Sequence, residues 1–134
     1  TRARYLASYH ASVGAVTNVS QTFSTAQLGA VTSLTDAVNI STDLALSNNF
    51  SVTLGGNRTL DNPTNDGIAQ SGSIFIIQDG TGSRTLSFGT DWKFAAGAGP
   101  TISTAANAID RLDYIVQTAT AIQSVITLDI KTIV

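Results

Sequence analysis

From Val31 onward, apolar and polar residues alternate with a period of two, the spacing that sends successive side chains to opposite faces of a β-strand. In Asn-Phe-Ser-Val-Thr-Leu, Phe50, Val52 and Leu54 share one face while Ser51 and Thr53 share the other, which predicts a half-buried strand. Two shorter strands are expected around Val31 to Leu34 and Val38 to Ile40. Residues 73 to 78, Ser-Ile-Phe-Ile-Ile-Gln, are apolar on consecutive positions, as in a central strand covered on both faces. Leu86 and Phe88 point inward from the next strand, and Leu112, Tyr114 and Val116 alternate in another. Ile126, Leu128 and Ile130 alternate in the last, which is expected to run to the C-terminus and tie it into a sheet.

Punctuation between these strands is rich in glycine. Gly55-Gly56-Asn57 makes a turn, because glycine takes positive φ without steric cost, and Asp61-Asn62-Pro63 stops regular pairing. Asp79-Gly80-Thr81-Gly82 reads as a hairpin turn. The triplet Arg-Thr-Leu follows both glycine loops, at 58–60 and again at 84–86. A solenoid would repeat whole units, so this recurrence is read as two strand beginnings after turns. About eight short strands with turns at this spacing predict an all-β fold, an antiparallel β-sandwich or jelly roll over residues 29–134.

Residues 1–28 follow another pattern. Leu6, Tyr9 and Val13, with Tyr5 beside them, fall near helical spacing, but Gly14 and the polar stretch after it interrupt any long helix. An extended or partly helical N-terminal arm is expected there.

Composition sharpens the picture. Charged residues are 12% of the chain, about half the usual share, while hydrophobic residues are 43%. The surface is therefore polar but mostly uncharged. Every acid is Asp and none is Glu, so a good helix former is missing and residues that favour turns and strands take its place. A net charge of −2, with Arg2 and Arg4 the only close basic pair, argues against nucleic acid as a partner. No apolar run approaches the ~18 residues of a membrane span, and the first ten residues lack an apolar secretion core, so no membrane partner is expected. With no cysteine, neither disulfides nor thiolate metal sites hold the fold. The absence of Met suggests an initiator trimmed before Thr1, so a small complete protein is expected.

Candidate chemistry is sparse. His10 is the single histidine, so a zinc site would have only Asp to complete it. No Gly-x-Ser-x-Gly elbow surrounds any serine, and neither glycine loop ends in the Gly-Lys-Ser/Thr of a phosphate loop. Asp61 to Asp66 lacks the ligand spacing of a calcium loop and reads as an Asx-rich turn. Asp110 and Asp113 could imitate a glycosidase pair, but solvated carboxylates flanking Arg111 is the favoured account. Asn-x-Ser/Thr sequons at Asn18, Asn39, Asn49 and Asn57 are expected by chance in so Asn- and Thr-rich a chain. Trp92 with Tyr114 could form a sugar platform; a core pair is the preferred reading. No catalytic residue, cofactor or metal is expected.

The segments VTLGGNRTLDNPTN, QDGTGSRTLSFGTDWKF and TISTAANAIDRLDYIV, in this order, resemble a domain common in tailed-bacteriophage and prophage structural proteins. The likeness covers roughly residues 31 to 131, and Thr-Arg-Ala-Arg-Tyr-Leu-Ala at the start resembles the opening of some small phage structural proteins, with Tyr5 in place of an acid. The resemblance implies a non-enzymatic, β-rich virion component, often a homotrimer, on the virion surface. On that basis the leading expectation is a capsid decoration (cement) protein. Arg2 and Arg4 would meet acidic coat surfaces, and Tyr5, Leu6 and Tyr9 would bury against the major capsid or another virion protein. The alternative is a tail-fibre or receptor-binding module that grips a host surface glycan, using exposed aromatics and Asn/Asp side chains on the loops around 61–67 and 95–100.

Overall fold

The computed structural model describes Ser20 and residues 22–134. Its strands are β1 (Val31–Ser33), β2 (Asn39–Ile40), β3 (Asn49–Leu54), β4 (Arg58–Leu60), β5 (Ser71–Gln78), β6 (Leu86–Phe88), β7 (Trp92–Lys93), β8 (Ile109–Thr118) and β9 (Ala121–Thr127). A single 3-10 turn, Ala95–Gly97, is the one helical element among the described residues. The all-β expectation therefore holds. Six strands form one sheet in the order β1-β3-β5-β8-β9-β7, and three form a second in the order β2-β4-β6. The two sheets enclose the core in a sandwich-like arrangement.

Strand direction departs from the expected antiparallel plan. Five of the seven pairings are parallel: β1 with β3, β2 with β4, β3 with β5, β4 with β6 and β7 with β9. The chain climbs in rungs. Each rung lays one strand in the large sheet and the next in the small sheet, so β1/β2, β3/β4 and β5/β6 stack as three turns of a short solenoid. Both glycine loops are thus corners between sheets and not hairpin turns. Arg58 lies beside Leu86 and Leu60 beside Phe88, so the two Arg-Thr-Leu triplets occupy neighbouring rungs two residues out of step. Because strand side chains alternate with a period of two, that offset leaves each leucine facing inward.

A true hairpin joins β8 to β9 through Ala119 and Thr120, with a register shift between Val116 and Thr118. Neither turn residue is glycine, and neither has positive φ. A turn of this hand splays the strands it joins, and the shifted register absorbs the mismatch. The C-terminal expectation also changes: pairing ends at Thr127. Beyond it the Ile130 N–H donates to the Ile109 carbonyl and the Asp129 N–H to Asp110, both at 2.8 Å, and Leu128, Ile130 and Ile133 are exposed.

Alternation placed the core well. Phe50, Val52 and Leu54 of β3, Ile74 and Ile76 of β5, Leu112, Tyr114 and Val116 of β8 and Ile122 of β9 are all buried, facing Ile40, Leu60 and Leu86 of the small sheet. Each large apolar side chain so buried contributes about 1.5–3 kcal/mol. β5 itself alternates, with Ile74 and Ile76 buried and Phe75 and Ile77 half-buried, so it is covered fully on one face only.

Polar side chains seal the ends of the sandwich. Buried Gln78 donates to the carbonyls of Arg84 and Ser103, both at 2.8 Å, and accepts from the Arg84 N–H at 3.0 Å. It fixes the corner that follows β5. At the other end of β5, the Asn48 carbonyl crosses so close to Gly72 that a β-carbon there would overlap it. The Tyr114 hydroxyl donates to that same carbonyl at 2.7 Å.

Candidate functional site

Both glycine loops, read from sequence as turns, are closed by the chain's own side chains. Asp79 Oδ1 accepts the N–H groups of Thr81 at 3.0 Å and Gly82 at 2.9 Å, and the Arg84 guanidinium closes on the same carboxylate at 2.8 Å. Gly82 holds φ at +71°, and a β-carbon on it would press on the backbone of Thr104 and Ala106. In the other loop, Asp36 accepts from Gly55 N–H at 3.2 Å and from Arg58 at 2.7 and 2.8 Å. The hydrogen bonds from Arg84 and Gly82 hold the Asp79 carboxyl below its ordinary value, and those from Arg58 do the same for Asp36. Amides that could cradle an anion are thus already occupied by the chain's own carboxylates. The recurring Arg-Thr-Leu has a structural account: each arginine clamps an aspartate that organises a corner.

The loops proposed from sequence to carry a glycan are largely exposed, but the aromatics beside them are not. Trp92 is buried and donates from Nε1 to the Asp61 carbonyl at 2.9 Å; it meets buried Tyr114 edge-on, with ring centroids 6.1 Å apart. The core-pair reading is correct. Phe88 and Phe94 pack edge to face at 4.8 Å and are half-buried. Asn62 accepts the Asp91 N–H at 2.8 Å, and Asn65 donates to Asp43 at 2.9 Å. These loops hold the fold and leave no exposed aromatic on 61–67 or 95–100.

A surface groove of 590 Å³ lies instead where β7 peels away from β9. Register places Lys93, Gln123 and Ile115 in one row and Val125 and Asp113 in the next. Ile115 is 48% exposed and Val125 is 68% exposed, an apolar strip on the solvent side of the sheet. Gln123 donates to Gln117 at 2.8 Å, Lys93 donates to the Thr90 carbonyl at 2.6 Å, and Asp113 accepts from Ser73 at 2.6 Å. The combination is an apolar floor rimmed by amides, one ammonium and one carboxylate, which suits the C–H faces and hydroxyls of a sugar better than an anion. Sequence reading weighed Asp113 for other chemistry and passed over Lys93, Ile115, Gln117, Gln123 and Val125. The signal was present where alternation breaks, at Tyr114-Ile115-Val116 and Val125-Ile126, where an apolar residue falls on the outward face.

Asp110 and Asp113 cannot act on one bond, since three residues along a strand put them on opposite faces. Asp110 is 2% exposed and not solvated as expected: it accepts from the Ser103 N–H at 2.7 Å and the Asp129 N–H at 2.8 Å. Asp113 pairs with Arg111 at 2.9 Å. No group of three or more metal-ligating side chains occurs among the described residues. Arg2, Arg4, Tyr5, Leu6, Tyr9 and His10 lie outside the described residues.

Residues 34–118 match the model of a family described as "Putative phage tail fibre C-terminal domain". The matched span takes in the three stacked rungs from the first corner onward and the whole of β8. No curated protein and no solved structure matches the chain.

Proposed function

Because the chain belongs to this phage tail-fibre C-terminal domain family and is a phage virion structural protein, we propose that it serves as a non-enzymatic tail-fibre module that grips a host surface glycan. The family match carries this reading, and it favours the fibre over the capsid-cement role. The groove on β7, β8 and β9 supports it chemically, with Ile115 and Val125 beneath a sugar ring and Gln117 and Gln123 at its hydroxyls. Several copies on one fibre, in the homotrimer the resemblance implies, would multiply a weak affinity through effective concentration.

The purified protein should bind host cells and not capsids lacking it; capsid binding without cell binding would return the cement role. Gln123→Ala combined with Val125→Ser should weaken cell binding about tenfold, the loss of roughly 1.4 kcal/mol. Incubation with host polysaccharide should release no reducing ends, and their release would make the protein a depolymerase.

A further inference from the structure

The two ends of the stacked rungs are finished differently. The last rung is covered: β8 pairs along β5, and the 100–104 segment runs beside β6, with Ile102 buried and the Thr104 carbonyl accepting from Ser83 at 2.7 Å. The first rung is bare among the described residues. Among the described residues β1 and β2 are the terminal strands of their sheets, and none of those residues pairs with their outer sides. Val31 is 54% exposed, Val38 72% and Leu46 67%, and a cavity of 380 Å³ opens between the strands as far as Phe50. Stacked repeats bury their faces only against a neighbour, and an uncovered terminal repeat needs a cap.

The chain carries a sequence that fits this end. Ala15-Val16-Thr17-Asn18-Val19-Ser20 repeats Ala30-Val31-Thr32-Ser33-Leu34-Thr35 position for position, with three identities and three like-for-like changes. Phe23-Ser24-Thr25 then repeats Ile40-Ser41-Thr42 after a connection two residues shorter. Residues 15–28 contain no charged side chain, so nothing repels them from a strand edge. Yet residues 22–30 form no strand in the chain itself and are exposed, Phe23 at 52% and Leu28 at 91%.

We propose that the β1–β2 end is an interface between copies of this chain, and that it receives residues 15–28 of a second copy as one further rung. Among the described residues, the β1–β2 end and the exposed segment 22–28 are both left without a strand partner in the same molecule. The added strands pair in parallel with β1 and β2, as β3 and β4 do from the other side, and Phe23 of the second copy covers the opening above Phe50. The contact is head-to-tail, so it closes a ring or runs on along a filament.

Light scattering on the whole chain over a wide concentration range, with hydrogen exchange at Val31–Ser33, tests this. The expected mass is a multiple of 13.9 kDa that falls on dilution, with slowed exchange in β1. Val16→Asp with Phe23→Asp, and separately Val38→Arg, at an exposed position, should each give the 13.9 kDa species with fast β1 exchange and an unchanged far-ultraviolet spectrum. A wild-type chain that stays at 13.9 kDa overturns the proposal, including the case in which β1 is protected by the chain's own segment. So does a wild-type mass that survives both variants.

Discussion

The rungs from β1 to β6 and the hairpin of β8 and β9 are written in the same alternating pattern, yet they are assembled in different ways. In the hairpin, the strand that follows in sequence is the strand alongside, so a turn of two ordinary residues suffices. In the rungs, the following strand belongs to the opposite sheet, and the neighbour alongside arrives only after a full circuit of the chain. Corners then carry a burden that the hairpin turn does not. Asp79 and Gln78 each hold several backbone groups there that no ladder satisfies, and Asp36 holds one, the Gly55 N–H. Glycine and aspartate organise the corners where the backbone leaves a sheet, and the two-residue turn between β8 and β9 manages without them.

Substitutions separate the two halves, the largest effects coming where both share the core. Phe50→Ala in the rungs should cost about 3–5 kcal/mol and Leu112→Ala in the hairpin about 2–5 kcal/mol, read from urea midpoints at constant slope. A single cooperative transition for both would show that the halves unfold together, whereas separate transitions would divide them. Gly72→Ala should cost about 3 kcal/mol, because the Asn48 carbonyl it meets is backbone and cannot swing aside. An effect below about 1 kcal/mol would mean the backbone crossing is looser than the structure shows.

Tyr114 links the halves, since it stands on β8 and bonds the loop that leads into β3. Tyr114→Phe should cost about 1 kcal/mol at neutral pH. Burial pushes its phenol from 10.0 up to about 12, so stability is complete below pH 10 and is lost as pH rises through 10 towards 12. Alkaline denaturation of the Phe variant should lack that step.

Acid acts on the corners. Asp36 and Asp79 titrate below the ordinary value of 3.8 in the folded chain, so the stability they contribute is present above that pH and fades as pH falls below it. Asp36→Asn and Asp79→Asn should each flatten the acid limb of a melting-temperature profile, by less than any core substitution. Added salt should weaken the same contribution. The smallest effect is expected at Gly80, which has open space around it and no positive φ. Gly80→Ala should raise stability by about 0.5 kcal/mol, in contrast to a loss at Gly82.

Much of this fold was legible in the chain alone. Phe50, Val52, Leu54, Leu112, Tyr114 and Val116 were assigned inward, and all are buried. Side-chain alternation is a local property of extended backbone and needs no knowledge of partners. The apolar strip of the groove was written in the same code, as breaks in alternation at Ile115 and Val125, but its meaning depends on which face a neighbouring sheet covers.

Strand partners could not be read in this way. A turn residue reports the dihedral angles the backbone must adopt, and Gly82 suits a corner between sheets as well as a hairpin. Whether the next strand folds back beside its predecessor or crosses to the other sheet depends on which apolar faces can be buried together, and that is settled among residues far apart in sequence. The amino-acid order therefore determined that this protein is made of strands and which side chains line its core. The tertiary structure alone decided that the strands climb in parallel rungs and that, among the described residues, one end is covered and the other open.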